Sequence, residues 1–243
     1  MKIKCLSCNA LTRMVYFCAA LSPQQVDVEL FELGLHNQPT ELRKRLQARI
    51  DELADEPYDA IVLAYGLCGQ ATLGLTANKI PIVMPRAHDC ITLFLGSRQR
   101  YQIQFEEEPG TYWYTLDYIE RRENPNVTLG FGLGADPAKQ YEEYVEKYGK
   151  DNADYLMEVM GMWQSHYSRA AYIDLNLGDG EPVAEEAEAI AQRRNWRFER
   201  LEGDLGLIRR LIDGEWDDDF LVLKPGQQIE RAYDDQVVVA GGR

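Results

Sequence analysis

Short apolar runs alternate along the chain with segments of helical periodicity, the pattern of βαβ units and a parallel sheet. Ile3 to Cys8 reads as a first strand, and Val26 to Leu33 as a second, in which Val26, Val28 and Leu30 alternate with charged residues. From Thr40 to Ala54 the residues Leu42, Leu46, Ile50 and Leu53 recur at helical spacing, Glu41 stands four before Arg45, and Pro57 closes the segment. Ala60 to Tyr65 is apolar without a break and lies between Pro57 and Gly66, so it reads as a central parallel strand covered on both faces. Ile80 to Met84 gives another strand, with Pro81 at its start, where no ladder donor is needed.

The character changes from Arg98 to Trp163, which holds eight of the 14 tyrosines together with Phe105, Trp113 and Phe131. Asp136 and Pro137 have the form of an N-cap and first helical residue, and Tyr141, Tyr144, Val145 and Tyr148 recur on one face before Gly149. Residues 101–164 therefore read as an aromatic-rich helical insertion, which packs against a sheet or covers a ligand. After Arg169 the alternation returns: a strand Ala170 to Asp174, a helix Pro182 to Arg194 with Val183, Ala187, Ile190 and Ala191 as its stripe, and a strand Trp196 to Leu201. A helix Leu205 to Ile212, capped by Gly214, and a strand Phe220 to Leu223 complete the pattern. The expected fold class is α/β, with two Rossmann-like lobes of mainly parallel sheet, residues 1–100 and 165–243, and a cleft between them as a natural ligand site.

Charge narrows the partners. Among 243 residues, 26 are Lys or Arg and 40 are Asp or Glu, a formal net charge of −14. Such a surface opposes the attraction that phosphate backbones and anionic lipids need, so neither nucleic acid nor membrane is an expected partner. No apolar run approaches the ~18 residues of a membrane span, and the start of the chain lacks a signal-peptide core, so a cytoplasmic location is expected. In a reducing compartment, five scattered cysteines read as free thiols, metal ligands or redox groups before disulfides.

Ligands of open α/β sheets collect outside the carboxyl ends of the strands. Cys8 ends the first strand, Cys68 follows the central one in Tyr65-Gly66-Leu67-Cys68-Gly69, and Cys90 follows the next in Pro85-Arg86-Ala87-His88-Asp89-Cys90. All three fall on the ligand face. Gly66 and Gly69 let the chain turn sharply and admit a close ligand. Three thiolates with the imidazole of His88 suit zinc, and three thiolates alone suit an iron–sulfur cluster with one open iron. Cys5 points to the opposite face from Cys8 on a strand, because their separation is odd, and is assigned to the core; a turn starting at Leu6 would instead reunite the two. Cys18 is assigned to packing. Three other readings compete: cysteines that merely pack as small hydrophobes around a metal-free small-ligand or sensor module, a Cys/His thiol enzyme, and a His88–Asp89 acid/base pair with Arg86 and Arg98 available for an anion. Gly130 to Gly134 reads as a loop rather than a phosphate cradle, Asp217 to Asp219 as a solvated turn, and His36 and His166 as structural residues.

Tyr65 to Gly69 and the segment Ile82 to Ser97, with Gly34 to Pro39 and Leu201 to Asp204, resemble the domain of unknown function 1638 family over nearly the whole chain. Cys68, His88 and Cys90 match its segments directly, and Cys8 matches its N-terminal Cys. The resemblance implies an enzyme or accessory factor in corrinoid-linked one-carbon metabolism, with partners drawn from methyltransferase systems. The combined expectation is a small-molecule or metallocofactor site, iron–sulfur or zinc. Cys8, Cys68 and Cys90 are its sulfur ligands, His88 is a fourth ligand or proton carrier, and Asp89 supports His88.

Overall fold

A computed structural model describes residues 1–121, 145–146, 149–150, 152–153, 167–233 and 236–242. Its contacts divide the chain into two units. The first comprises residues 1–103, 175–177 and 202–243, and the second residues 104–174 and 178–201.

The first unit is built on a five-stranded sheet of β1 (Lys2–Cys8), β2 (Gln25–Phe31), β3 (Ala60–Ala64), β4 (Ile82–Pro85) and β8 (Phe220–Leu223), in the order β2-β1-β3-β4-β8. β1 runs parallel to both β2 and β3, and β3 parallel to β4. All five residues of β3 are buried, as its unbroken apolar sequence requires of a strand covered on both faces. β2 is an edge strand and keeps partial exposure, which its alternating charges tolerate. α1 (Thr12–Leu21) and α2 (Pro39–Glu52) connect the first three strands, and Leu42, Leu46 and Ile50 of α2 are buried in the core with Leu6, Leu63 and Ile82.

The chain leaves β1 for β2 on one side and returns to β3 on the other. This makes a switch point between the carboxyl ends of β1 and β3, where the connecting loops diverge. Beyond β4, the short α3 (Cys90–Leu95) and then α4 (Arg98–Glu107) follow.

The second unit contains β5 (Thr111–Tyr114), α5 (Leu116–Glu120), β6 (Arg169–Asp174), α6 (Glu181–Arg194) and β7 (Arg197–Glu202), the last reaching into the first unit by one residue. Its sheet has the order β5-β6-β7, with β5 parallel to β6. Val183, Ala187, Ile190 and Ala191 of α6 are buried together with Tyr112, Tyr114 and Tyr172, as the stripe predicts. The described part of the aromatic segment thus contributes a strand as well as helices. Thr-Tyr-Trp-Tyr at 111–114 is composed of residues that favour a pleated surface. The helix expected after Asp136, the glycine-rich loop 130–134 and His166 lie outside the described residues, Val145 and Gly149 excepted.

α7 (Gly206–Asp213) packs on α1 and buries Leu207, Ile208, Leu211 and Ile212. The following strand β8 departs from the expected second βαβαβ series. It pairs antiparallel with β4, Phe220 opposite Pro85, because Phe220, Leu221 and Leu223 complete the apolar edge of the first sheet. A hairpin of β9 (Gln227–Arg231) and β10 (Val238–Gly242), not expected from the apolar pattern, ends the chain. Among the described residues no helix is long and apolar enough to cross a membrane.

Candidate thiol site at the sheet switch point

Cys8 is the last residue of β1 and caps the short helical turn Asn9–Leu11, its Sγ accepting from Ala10 N–H at 3.5 Å. Cys68 lies four residues beyond the end of β3, in a loop that folds back on the segment after β4. Leu67 N–H donates to Ala87 C=O at 2.9 Å and Cys68 N–H to His88 C=O at 3.1 Å. This pairing lays the two loops side by side. A Cβ on Gly66 would stand 2.7 Å from Asp89 N and 2.8 Å from its Cα, so only glycine permits the approach.

The close turn puts Cys68 at φ 46°, with Gly69 at 65° and Gln70 at 74°. For two side-chain-bearing residues, that left-handed conformation is uncommon and strained, and is held by the surrounding structure.

Cys8, Cys68 and Cys90 are each partly exposed, while Cys5 and Cys18 are buried. Cys8 and Cys68 also pack against the same apolar cluster as Tyr65 and Leu67. The three rim thiols act on one another electrostatically. Burial pushes Cys8 up to about 11 and Cys68 up to about 12, the latter helped by Cys8. Cys90 is raised well above the ordinary thiol range by burial first, then by Asp89, Cys68 and Cys8. Against this, each sulfur has a backbone N–H that favours its anion: Ala10 for Cys8, Gly66 for Cys68 and the residue's own N–H for Cys90.

The remaining expected residues have other visible work. Asp89 caps α3, accepting from Ile91 N–H at 3.0 Å and Thr92 N–H at 3.4 Å, and takes Tyr101 O–H at 3.0 Å. Burial raises its pKa despite those bonds. His88 supplies its backbone carbonyl to Cys68, and its ring is exposed, 6.3 Å from that of Tyr101. Arg86 donates to Val238 C=O and fastens the terminal hairpin. Arg98 is paired with Asp219 at 3.0 Å, and Arg210 holds both Asp217 and Asp219. Gly69 is open, with nothing near the position a Cβ would take.

Among the described residues, no group of three or more His, Cys, Asp or Glu side chains is arranged to hold a metal ion. The rim thiols are electrostatic neighbours without converging on a point.

One residue at this rim was missed by sequence reasoning. Tyr65, directly after β3, is 2% exposed and its Oη has no hydrogen-bond partner among the described residues. Burial, then Cys8, Cys68 and Cys5, raise its pKa well above that of an ordinary phenol. A tyrosine ending an apolar run beside a cysteine loop was the available signal, but its orphaned hydroxyl is a tertiary fact.

A family model described as "Protein of unknown function (DUF1638)" matches residues 30–212. No curated protein and no solved structure matches the chain significantly.

Proposed function

The chain belongs to the DUF1638 family of proteins of unknown function, and we propose that it binds a thiolate-held metal centre, an iron–sulfur cluster or zinc, through Cys8, Cys68 and Cys90. The observation that supports this reading is the placement of three cysteines just at or beyond the carboxyl ends of β1, β3 and β4, with Ala10 N–H donating to the Cys8 sulfur at 3.5 Å. Backbone donors of this kind offset the charge of thiolates and tune sulfur-ligated metals.

Bound there, the metal would supply a Lewis-acidic or electron-accepting centre with a coordination position left for a small molecule. The chain's own contribution is to hold the sulfurs, to exclude water from most of their surface and to bring backbone donors to them. His88, being exposed, is available to a ligand on the solvent side. A role in corrinoid-linked methyl-group metabolism, as an enzyme or an accessory factor with methyltransferase-system partners, rests on the family resemblance, and no residue of the site adds to it.

The thiol-enzyme reading is weaker. A nucleophilic cysteine needs its pKa lowered by a cation or base, whereas burial keeps these three thiols protonated at neutral pH. The test is metal and sulfide analysis after anaerobic purification and reconstitution, with visible absorption. Wild type is expected to load, and Cys8→Ser, Cys68→Ser and Cys90→Ser each to lose most of the bound metal while staying folded. Equal metal content in all four proteins would overturn the assignment.

A further inference from the structure

The outer face of α1 differs from those of the other long helices. α2 and α6 turn charged residues to solvent, Lys44 and Arg45 on the first, Glu185, Glu186 and Glu188 on the second. α1 buries Thr12, Met14, Val15 and Cys18, yet its other side carries Tyr16, Phe17 and Leu21 at 50, 41 and 63% exposure, with Ala20 exposed among them. It has no acidic residue and a single cation, Arg13, in a chain of formal charge −14. A helix that is apolar all round is one that something covers.

The strand beside it is open along one edge. β2 is outermost in the first sheet, and Gln25 N–H donates to Met1 C=O at 3.0 Å. Residues in step with Gln25 therefore bond β1, while Val26, Val28 and Leu30 turn their backbone N–H and C=O to the free edge. Their side chains lie on the α1 side of the sheet: Val26 and Val28 stand in register with Ile3 and Cys5, on the face opposite Leu6 and α2. The acidic residues of the strand are neutralised within the chain, Asp27 by Lys2 at 3.9 Å and Glu29 by Lys4 at 2.8 Å and Arg49 at 2.9 Å. The opposite edge, β8, has four residues and packs against β9 and β10.

We propose that the β2 edge and the α1 face together bind a second copy of this chain, the two β2 strands pairing antiparallel about a two-fold axis so that the sheet continues through both copies. Paired strands lie ~4.8 Å apart, so an α1 seated over β1 and β2 stands ~10 Å from its symmetry mate, the distance at which helices pack. The exposed side chains of α1 then meet their own equivalents, as an isologous interface requires. Area shows that the helix needs the strand: Tyr16, Phe17 and Leu21 offer ~300 Å² between them, against the ~800 Å² per partner of a stable interface. Charge favours a like partner. Two strongly acidic copies repel one another except where acidic side chains are absent or already paired, and this face meets both conditions. The proposal is independent of the thiol site.

The test is sedimentation velocity of the full-length protein from about 1 to about 100 μM. Wild type is expected to sediment at twice the 27.9 kDa of one chain. Leu21→Glu places a charge on the helix face, and Val28→Pro removes an edge-facing N–H without taking a bond from β1. Each is expected to weaken dimerisation at least ~30-fold while circular dichroism and the urea midpoint stay near wild type. Val222→Glu, at the opposite edge, should leave the dimer intact. Added salt should strengthen the wild-type dimer by screening the repulsion between acidic copies. A wild type that stays monomeric throughout, whether or not the face takes up a different protein, overturns the proposal, and so does a dimer broken by Val222→Glu but untouched by Leu21→Glu. A dimer lost in Leu21→Glu and intact in Val28→Pro would overturn the continuous sheet.

Discussion

The two ends of β1 treat polar groups in opposite ways. Lys4, Leu6 and Cys8 share one face of the strand by alternation. At the amino end the Lys4 ammonium, although the residue is only 8% exposed, lies 2.8 Å from Glu29 on β2, and Glu29 also accepts Arg49 of α2 through both carboxylate oxygens at 2.9 Å. Every charge there has a partner. At the carboxyl end a tyrosine hydroxyl is buried without a partner among the described residues, Cys68 sits in a left-handed backbone conformation, and burial raises the pKa of three thiols. The difference separates an end whose polar groups are satisfied within the unit from one that keeps a buried hydroxyl without a partner and a left-handed cysteine. Unsatisfied polarity and local strain persist only where the surroundings over-determine them, and such places cluster at functional sites.

The largest way to break the comparison is Gly66→Ala. Its Cβ would meet the backbone of Asp89 and Ala87, which are part of a paired loop and cannot move aside as a flexible side chain would. The expected cost is about 3 kcal/mol, at the upper end for overpacking, read as a lower urea midpoint together with loss of metal loading. Gly69→Ala is the control. It bears a left-handed backbone penalty at φ 65° that Gly66 does not, but has open space for the methyl group, and should cost about 1 kcal/mol. Equal effects would show that the close approach of Gly66 to Asp89 does not lock the two loops together.

The satisfied end is tested by Glu29→Gln. Removing the carboxylate leaves the Lys4 ammonium, whose side chain is 10% exposed, without its partner, so a loss of about 2 kcal/mol is expected at pH 7. Burial pushes the Glu29 carboxyl up, but hydrogen bonds from Lys4 and Arg49 outweigh it and hold the folded-state pKa below the usual range. A group depressed on folding contributes fully above its unfolded pKa and loses that contribution as pH falls through the folded value. The stability gap between wild type and Glu29→Gln should therefore be constant from about pH 6 to 8 and close below about pH 4. A gap that persists in acid would show that shape, not charge, carries this end of the strand.

How much of this contrast was legible in the sequence follows from the range of the interactions. β3 is readable because Ala-Ile-Val-Leu-Ala has one physical solution in a parallel sheet, and Cys8, Cys68 and Cys90 fall at strand ends by counting alone. The Asp89 cap was also available, as an aspartate directly before the apolar run Cys90 to Leu95, yet its proximity to His88 drew a catalytic reading instead. Non-local facts were out of reach. Nothing in Phe220 to Leu223 says that it pairs antiparallel with β4, nothing near Arg86 points 152 residues ahead to the Val238 carbonyl, and no local pattern reveals that the Tyr65 hydroxyl is left alone. The terminal hairpin escaped for a related reason: its strands carry glycine and charge, and their alternation is weak without the partner strand.

The smallest expected effect discriminates most finely between cysteines three residues apart. Cys5 is fully buried, and Cys18 on α1 is among the groups that act on it. Truncation to alanine there removes a sulfur from hydrocarbon and should cost about 1–2 kcal/mol, as loss of a small buried group does. Cys8 is partly exposed and its sulfur takes one long bond from Ala10 N–H. Cys8→Ala should therefore change the stability of the metal-free protein by less than about 1 kcal/mol, in the same urea series. If Cys8→Ala costs as much as Cys5→Ala, the Cys8 sulfur is a packing atom and the two ends of β1 are alike. If Cys8→Ala is nearly silent in the metal-free protein yet abolishes loading, the sulfur at the rim is retained for what it binds, because the fold is nearly indifferent to its loss.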